Sequence, residues 1–192
     1  MSEMMRRIEL TRGRRLTRED VPRTGGIDAE VLGVAQRIID DVRARGDAAL
    51  LEYTAQFDRA TLQDLRVSEQ EIADAVESVG EEFRAAIATA ALSIEDFHAR
   101  QVQQSWFTVI EGGVFLGQKV TPIERVGIYV PGGRACYPSS VLMNAIPALV
   151  AGVGEIAMVV PPDGDGRVNP FTLAAAAEIG LEEIYKVGGA QA

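Results

Sequence analysis

An apolar run passes directly into a glycine-rich loop in the segment Val126-Gly127-Ile128-Tyr129-Val130-Pro131-Gly132-Gly133-Arg134. A helical segment follows at about 138–151, and the same order recurs with an apolar run at 156–160, a helix that Asn169 caps and that closes near residue 180, and a further strand at 184–187. Fully apolar strands that alternate with helices are typical of a parallel sheet covered on both faces. The sequence therefore predicts an α/β fold with a βαβαβ unit.

Upstream of this unit, residues 28–104 have helical periodicity. Asp28 can cap a first helix that ends at Gly46, and a second helix starts at Asp47. Ser68 and Glu71 form a capping box that opens a third helix. A long helix is predicted from Glu81 to about Gln104, with an inner face made of Phe83, Ile87, Ala90, Ala91, Ile94 and Phe97.

The apolar period changes from helical to strand-like near Trp106, where strands are predicted at 107–110, 114–120 and 126–130. This change divides the chain into an N-terminal arm at 1–27, a helical region at 28–105 and an α/β part at 106–192. The arm is rich in arginine, but Glu3 and Glu9 interrupt it and no apolar segment follows, so a solvated arm is favoured over a targeting segment. No run of 18 apolar residues exists, which predicts no membrane span and a cytoplasmic protein.

The 192 residues include one cysteine, Cys136, and one histidine, His98. This chain by itself therefore cannot build a disulfide framework, a Cys/His zinc site or a Ser-His-Asp triad with a spare histidine. The net charge is -9, with 28 acidic and 19 basic residues. An acidic surface repels phosphate backbones, so nucleic acid is a poor candidate partner.

The loop after the first strand of the βαβαβ unit is a candidate binding site, since ligands of open parallel sheets bind beyond the carboxyl ends of the strands. Gly132 and Gly133 leave the backbone bare, and Arg134 adds a positive charge. Ser139 and Ser140 offer hydroxyls at the start of the next helix. A tight turn followed by a serine-capped helix explains the same residues without a ligand.

A second loop, Val187-Gly188-Gly189-Ala190-Gln191, follows the last strand. Two Gly-Gly loops at the ends of neighbouring strands would face one crevice, where Gln191 could hydrogen-bond an amide or a ribose. The alternative is that each loop is only a strand exit.

Cys136 and His98 are weaker candidates for chemistry. A helix N-terminus and Arg134 would favour a thiolate at Cys136, but no histidine stands nearby in sequence, so an inert loop thiol is favoured. Glu95 and His98 have the E-x-x-H spacing of di-iron bundles. A second such motif is absent from the sequence, so a histidine on a helix surface is favoured.

Three segments together resemble the histidinol dehydrogenase family: Val120 to Gly133, Tyr137 to Ala148 and Lys186 to Ala192. Two helical segments, Gly46 to Leu50 and Phe97 to Gln101, resemble the same family. The resemblance runs in register from about residue 28 to the last residue.

The resemblance implies a zinc-dependent homodimeric enzyme of histidine biosynthesis. Such an enzyme oxidises L-histidinol through L-histidinaldehyde to L-histidine and transfers hydrides to two NAD molecules in succession. It also implies an aldehyde-dehydrogenase-like pair of Rossmann-type domains. The family's NAD-contacting tyrosine and glutamine match Tyr129 and Gln191, and the turn at Gly132 and Gly133 lies close to the cofactor.

The family's zinc ligands, catalytic Glu-His pair and substrate contacts match no residue here, because they lie C-terminal to the Gly188-to-Ala192 motif. The resemblance thus implies no catalytic and no metal-binding residue in this chain, with zinc ligands beyond residue 192. The expectation is an N-terminal part of the enzyme that ends inside the Gly188-to-Ala192 motif and is inactive alone. Cys136 falls where relatives usually carry a small residue and receives no catalytic role.

Two other hypotheses remain open. The chain could be a non-catalytic nucleotide or sugar-phosphate binding module whose Gly-Gly loops hold a phosphate. Alternatively, it could be a helical interaction protein whose functional surface is formed by residues 28–104.

Overall fold

The computed structural model describes residues 13–15, 17, 20, 29–132 and 135–192. The first half contains the helices α1 Ala29–Arg45, α2 Asp47–Phe57, α3 Glu69–Ser78 and α4 Glu81–Ala99, followed by the strands β1 Trp106–Ile110 and β2 Val114–Gln118. The second half alternates as β3 Arg125–Tyr129, α5 Pro138–Val150, β4 Glu155–Val159, α6 Pro170–Glu178 and β5 Ile184–Tyr185, and ends in a short 3-10 turn, Gly189–Gln191. The predicted α/β class and the order βαβαβ are confirmed.

The helix boundaries that depend on caps are confirmed where the structure describes them. Gly46, at φ +59°, separates α1 from α2 because its left-handed backbone suits glycine. Ser68 Oγ accepts from the backbone of Glu71 and the Glu71 carboxylate accepts from the backbone of Ser68, which is the predicted capping box. Asn169 caps α6 by accepting from the N–H of Phe171. The predicted cap Asp28 lies outside the described residues.

Helix α4 ends earlier than predicted, at Ala99 instead of Gln104, because the N–H of Gln101 bonds the carbonyl of His98 in a closing turn. The predicted placement of Phe97 on the inner face is wrong, since 59% of its surface is exposed. Phe97 instead packs edge to face on His98 at the end of α4, with the ring centroids 5.3 Å apart. The other five predicted inner-face residues do pack against the core.

Strands β3, β4 and β5 form a parallel sheet in that order. Each of the two connections leads to the next strand on the same side, from β3 to β4 and from β4 to β5. Because such crossovers are right-handed, α5 and α6 lie on the same face of the sheet. Residues on that face are Val126, Ile128, Ile156, Met158 and Ile184, and they share one core with both helices. Helices α3 and α4 form a further layer on α5 and α6, where the rings of Phe83 and Phe171 meet edge to face with centroids 4.7 Å apart.

The opposite face of the sheet is only partly covered by the described residues. It carries Gly127 and Tyr129, which are exposed, and Ala157, Val159 and Tyr185, which are half-buried. The predicted cover is confirmed on the face that carries both crossover helices. The opposite face, which adjoins α2 and the segment at 63–66, is half-buried along β4 and β5 and exposed along β3.

The helical region is attached to the sheet along the free edge of β5. The N–H of Val67 donates to the carbonyl of Ile184 over 2.9 Å, and the N–H of Lys186 donates to the carbonyl of Leu65 over 2.7 Å. Strand β5 ends at Tyr185 rather than at Val187 as predicted, since the N–H of Val187 turns back to the carbonyl of Tyr185.

Strands β1 and β2 form a separate antiparallel hairpin. Its second strand stops at Gln118 rather than Val120, whose N–H bonds the Ser105 hydroxyl at the base of the hairpin. The division of the chain at residues 27 and 105 stays a prediction. No helix within the described ranges is long and apolar enough to cross a membrane.

Candidate functional site

The three parallel strands end in loops that meet around Pro161. A Cβ on Gly132 would lie 2.7 Å from the carbonyl oxygen of Pro161, and a Cβ on Gly188 would lie 2.6 Å from the Pro161 Cβ. At both positions, glycine therefore lets the loop backbone pack against the end of β4 more closely than a residue with a Cβ could. The two Gly-Gly loops do not leave neighbouring strands, as the sequence suggested, because β4 lies between β3 and β5.

Tyr129 joins the first loop to the second. It is the last residue of β3, and 43% of its surface is exposed on the open face of the sheet. Its Oη accepts a 3.2 Å hydrogen bond from the N–H of Gly189, and its own carbonyl accepts a 3.2 Å bond from Asn144 Nδ2 of α5. The tyrosine is therefore held through both its side chain and its backbone. Its hydroxyl contacts Gly189, which lies two positions before Gln191 in the chain. Asn144 was not singled out from the sequence, because its hydrogen bond depends on how α5 packs beside β3.

Gln191 is 5% exposed, and neither Nε2 nor Oε1 has a hydrogen-bond partner among the described residues. Gly189, at φ +66°, brings the backbone so close that a Cβ there would lie 2.6 Å from Gln191 Oε1. A buried polar group without a partner costs about 1–3 kcal/mol. This amide is therefore a donor and an acceptor that are available to a ligand.

A cavity of about 480 Å³ adjoins Gln191. Its walls come from the open face of the sheet, from α2 and from the segment at 63–66, and include Val159 and Tyr185. The lining thus combines apolar residues, such as Leu50 and Val159, with polar ones, such as Asp64 and Arg66, a combination typical of small-molecule sites.

The rest of the first loop is only partly described. Gly133 and Arg134 lie outside the described residues. Ser139 and Ser140 stand in the first turn of α5, behind Pro138, but the helix is capped at Tyr137 without a side-chain hydrogen bond. The alternative of a serine-capped helix is therefore wrong, because helix α5 begins before the serines can act as its cap.

Cys136 contacts the start of α6. Its Sγ donates to Asn169 Oδ1 over 3.1 Å and lies 3.5 Å from Thr172 Oγ1. These neighbours are an amide oxygen and a hydroxyl, and neither is a base that would activate a thiol, which agrees with a structural loop thiol.

His98 is half-buried near the end of α4, where its Nδ1 lies 2.7 Å from Gln101 Oε1. It stands on the helix surface as predicted. Within the described ranges, no group of three or more His, Cys, Asp or Glu residues is arranged to hold a metal ion.

Lys186, in the last motif, has a partner that sequence reasoning missed. Its Nζ pairs with the Oε1 of Glu71, the same carboxylate that closes the capping box of α3. Burial by itself raises the pKa of Glu71, but the hydrogen bonds from Lys186 and Ser68 outweigh it and bring the pKa below its usual value. The ion pair therefore ties helix α3 to the strand that leads into the Gln191 loop.

Comparison with known proteins agrees with these motifs. The family model for histidinol dehydrogenase matches residues 22–192. A histidinol dehydrogenase of Clostridium acetobutylicum is 49% identical over 170 residues, which are 88% of this chain and 39% of that protein. One of Geobacillus kaustophilus is 55% identical over 155 residues, which are 81% of this chain and 37% of that protein.

A solved structure agrees in fold as well. The crystal structure of histidinol dehydrogenase from Elizabethkingia anophelis superposes with a TM-score of 0.82 at 40% identity, covering 88% of this chain and 39% of that one. The chain thus spans about two-fifths of the length of the relatives that it matches. On the extent of these matches, the chain belongs to the histidinol dehydrogenase family.

Proposed function

We propose that this chain supplies NAD-binding residues to an oxidoreductase of histidine biosynthesis that converts L-histidinol through L-histidinaldehyde to L-histidine. In that enzyme, NAD accepts the hydride. The chain then forms part of a Rossmann-like, aldehyde-dehydrogenase-like unit of a cytoplasmic homodimer. The observation that carries the proposal is the buried amide of Gln191, which lacks a partner among the described residues and stands beside the loop that Tyr129 holds.

Each site residue has a separate role in this proposal. The amide of Gln191 donates to and accepts from the polar groups of NAD, either its carboxamide or a ribose. The exposed ring of Tyr129 packs against the cofactor, while its Oη keeps the Gly189 loop in place. The absence of side chains at Gly132 and Gly133 lets the cofactor approach the backbone. Gly132 has a second, structural reason to be glycine, because it packs closely on Pro161.

We propose no catalytic and no zinc-binding residue in this chain. The family resemblance assigns the acid–base pair and the zinc ligands to positions C-terminal to the Gly188-to-Ala192 motif. The chain alone should therefore not reduce NAD with L-histidinol and zinc, whereas an extended chain should.

Titration calorimetry of the chain with NAD tests the binding residues. Replacing Gln191 with alanine should weaken NAD binding by about 5- to 100-fold, because two hydrogen bonds in a buried site are lost. Gln70→Ala is the matched control, since Gln70 is exposed on α3 and bonds only locally to Asp74. Equal affinities for the wild type and Gln191→Ala would contradict the assignment.

A second pair of variants distinguishes a specific effect of the Tyr129 hydroxyl on NAD binding from a general effect of losing a tyrosine hydroxyl on folding. Tyr129→Phe removes the hydroxyl that holds Gly189, and Tyr53→Phe removes a hydroxyl that bonds Asp41 in the helical region. Only the first should weaken NAD binding. If inorganic phosphate or a sugar phosphate binds and NAD does not, the non-catalytic binding module replaces the dehydrogenase proposal.

A further inference from the structure

A second cavity, of about 630 Å³, lies where the loop after β3 meets the loop after β4. Gly132 borders it from the first loop, and Val160 and Asp163 border it from the second. Residues of α3 and of the start of α6 complete the lining. The cavity is thus formed by this chain's own residues, and its volume lies within the range of small-molecule sites.

This second cavity and the cavity beside Gln191 adjoin the same strand exit. Val159, the last residue of β4, lines the cavity beside Gln191, and Val160 lines the second one. The N–H of Val160 still pairs with the carbonyl of Tyr185, so the segment is extended there and consecutive side chains point to opposite faces. The two cavities therefore flank the end of β4, an arrangement that suits the two nucleoside halves of a dinucleotide.

The lining of the second cavity fits a nucleoside better than an additional phosphate group. Part of it is apolar and comes from Ala75, Val160, Pro161, Val168 and Leu173. The ion pair with Lys186 balances the charge of Glu71. Among the described residues of the lining, the carboxylates of Asp74 and Asp163 then outnumber the guanidinium of Arg167. An excess of negative charge repels a phosphate, whereas a carboxylate accepts hydrogen bonds from hydroxyl groups.

The carboxylate of Asp163 is fixed by its own loop. Its Oδ1 accepts from the N–H of Asp165 over 3.0 Å and from the N–H of Arg167 over 2.9 Å. The N–H of Asp163 in turn donates to the carbonyl of Arg167. Its Oδ2 has no hydrogen-bond partner among the described residues. Asp163 therefore offers the cavity an acceptor that is already in position.

The position of Asp163 in the chain indicates which group it accepts from. In dinucleotide-binding folds, an acidic side chain downstream of the glycine-rich loop accepts from the 2′-hydroxyl of the adenosine ribose, whereas an arginine accommodates the 2′-phosphate of NADP. Asp163 follows the Gly132 loop, α5 and β4 in this order. The excess of carboxylates at the cavity favours the hydroxyl over the phosphate.

We propose that the second cavity holds the adenosine half of the cofactor and that Asp163 accepts a hydrogen bond from its 2′-hydroxyl, which selects NAD over NADP. The inference rests on the proposed function, because it takes a nicotinamide dinucleotide as the ligand. It adds a binding site for one half of that ligand and the residue that determines which cofactor is used.

Titration calorimetry with the two adenosine halves tests the cavity. The probes are adenosine 5′-monophosphate, which carries the 2′-hydroxyl, and adenosine 2′,5′-bisphosphate, which carries the 2′-phosphate. The 192-residue chain should bind the monophosphate about tenfold more tightly, because the added phosphate would face the carboxylate of Asp163. Equal affinities, or tighter binding of the bisphosphate, would overturn the proposal.

Asp163→Asn isolates the charge of this side chain. The amide oxygen still accepts from the N–H groups of Asp165 and Arg167, so the loop keeps its hydrogen bonds. The preference for the monophosphate should fall to about threefold or less. Asp165→Asn is the matched control, because it removes the same charge from the same loop outside the cavity lining, and it should keep the wild-type preference. A preference that is unchanged in Asp163→Asn, or reduced equally in both variants, would overturn the role of Asp163.

A charge reversal on α3 tests the location of the site independently of the Asp163 loop. Asp74→Arg places a cation at the cavity and should raise the affinity for the bisphosphate about tenfold. Glu69→Arg makes the same change of charge on the same helix but outside the lining, and should alter that affinity by less than about twofold. Equal effects of the two variants would overturn the location.

The failure of this inference differs from the failure of the proposed function. If NAD binds and Gln191→Ala weakens that binding, but neither adenosine probe binds, the proposed function stands and the adenosine site is overturned. If NAD itself does not bind, the proposed function is overturned and this inference with it.

Discussion

The parallel sheet and the hairpin β1–β2 contain similar residues in opposite environments. Ile128 of the sheet is 9% exposed and Met158 is fully buried, whereas Ile110 and Val109 of the hairpin are 46% and 67% exposed. Both are runs of β-branched, aromatic and aliphatic residues. The difference is that two crossover helices cover the sheet, while no described element covers the hairpin to a similar extent. An apolar strand therefore shows that a surface needs a cover, but it does not show which element provides that cover.

The largest expected effect compares the same substitution in the two regions. Ile128→Ala should lower the free energy of unfolding by about 2–4 kcal/mol, because it leaves a cavity in a packed core. Ile110→Ala should lower it by less than about 1 kcal/mol, since half of that side chain is already in water. Urea unfolding at low protein concentration measures both values. Equal losses would remove the contrast between the sheet and the hairpin.

The next effect compares a glycine inside β3 with a glycine in the loop that follows the strand. Gly132→Ala should cost about 1–3 kcal/mol, because the new Cβ would collide with the Pro161 carbonyl and the Val160 side chain. Gly127→Ala should stay within about 0.5 kcal/mol of the wild type, since nothing lies within 4 Å of a Cβ there. Thermal unfolding of the two variants provides the comparison. A tolerated Gly132→Ala would show that the strand exits are less closely packed than the structure indicates.

The smallest effect concerns the ion pair between Glu71 of α3 and Lys186, the residue that follows β5. Glu71→Gln should cost about 1 kcal/mol at pH 7, a modest value because 37% of the Glu71 side chain remains exposed. The pKa of Glu71 is lowered in the folded chain, so its stabilisation is complete above the unfolded value near 4.5 and is lost as the pH falls through the folded value.

Urea unfolding between pH 7 and pH 3 therefore should show the wild type and Glu71→Gln converging below about pH 4.5. Glu69→Gln, in the same first turn of α3, is the control for the helix dipole. A difference between wild type and Glu71→Gln that stays constant to pH 3 would contradict the pairing with Lys186.

Much of the local structure was predictable. The capping box at Ser68 and Glu71 and the Asn169 cap depend on residues within a few positions of each other, and both are confirmed. The early end of α4 and the short β5 follow from local backbone turns that the pattern of apolar side chains does not encode. The exposure of Phe97 depends on which segments pack against α4, so periodicity did not predict it either.

The candidate site shows the same limit. The sequence predicted that Tyr129 and Gln191 serve one crevice, and the structure brings Tyr129 to the Gly189–Gln191 turn. The role of both residues toward NAD stays a proposal. Neither the packing of Gly132 and Gly188 on Pro161 nor the Lys186–Glu71 pair was predicted, because each joins residues from separate elements.

By itself, the sequence determined the α/β class, the order of the βαβαβ unit and the family, because these depend on periodicity, caps and motifs that lie along the chain. Only the tertiary structure decided that both crossover helices cover one face, that three strand exits meet at Pro161 and that the hairpin stands exposed. The physical reason is that burial and close packing depend on which distant segments meet, and an apolar side chain has the same local pattern whether or not another segment covers it.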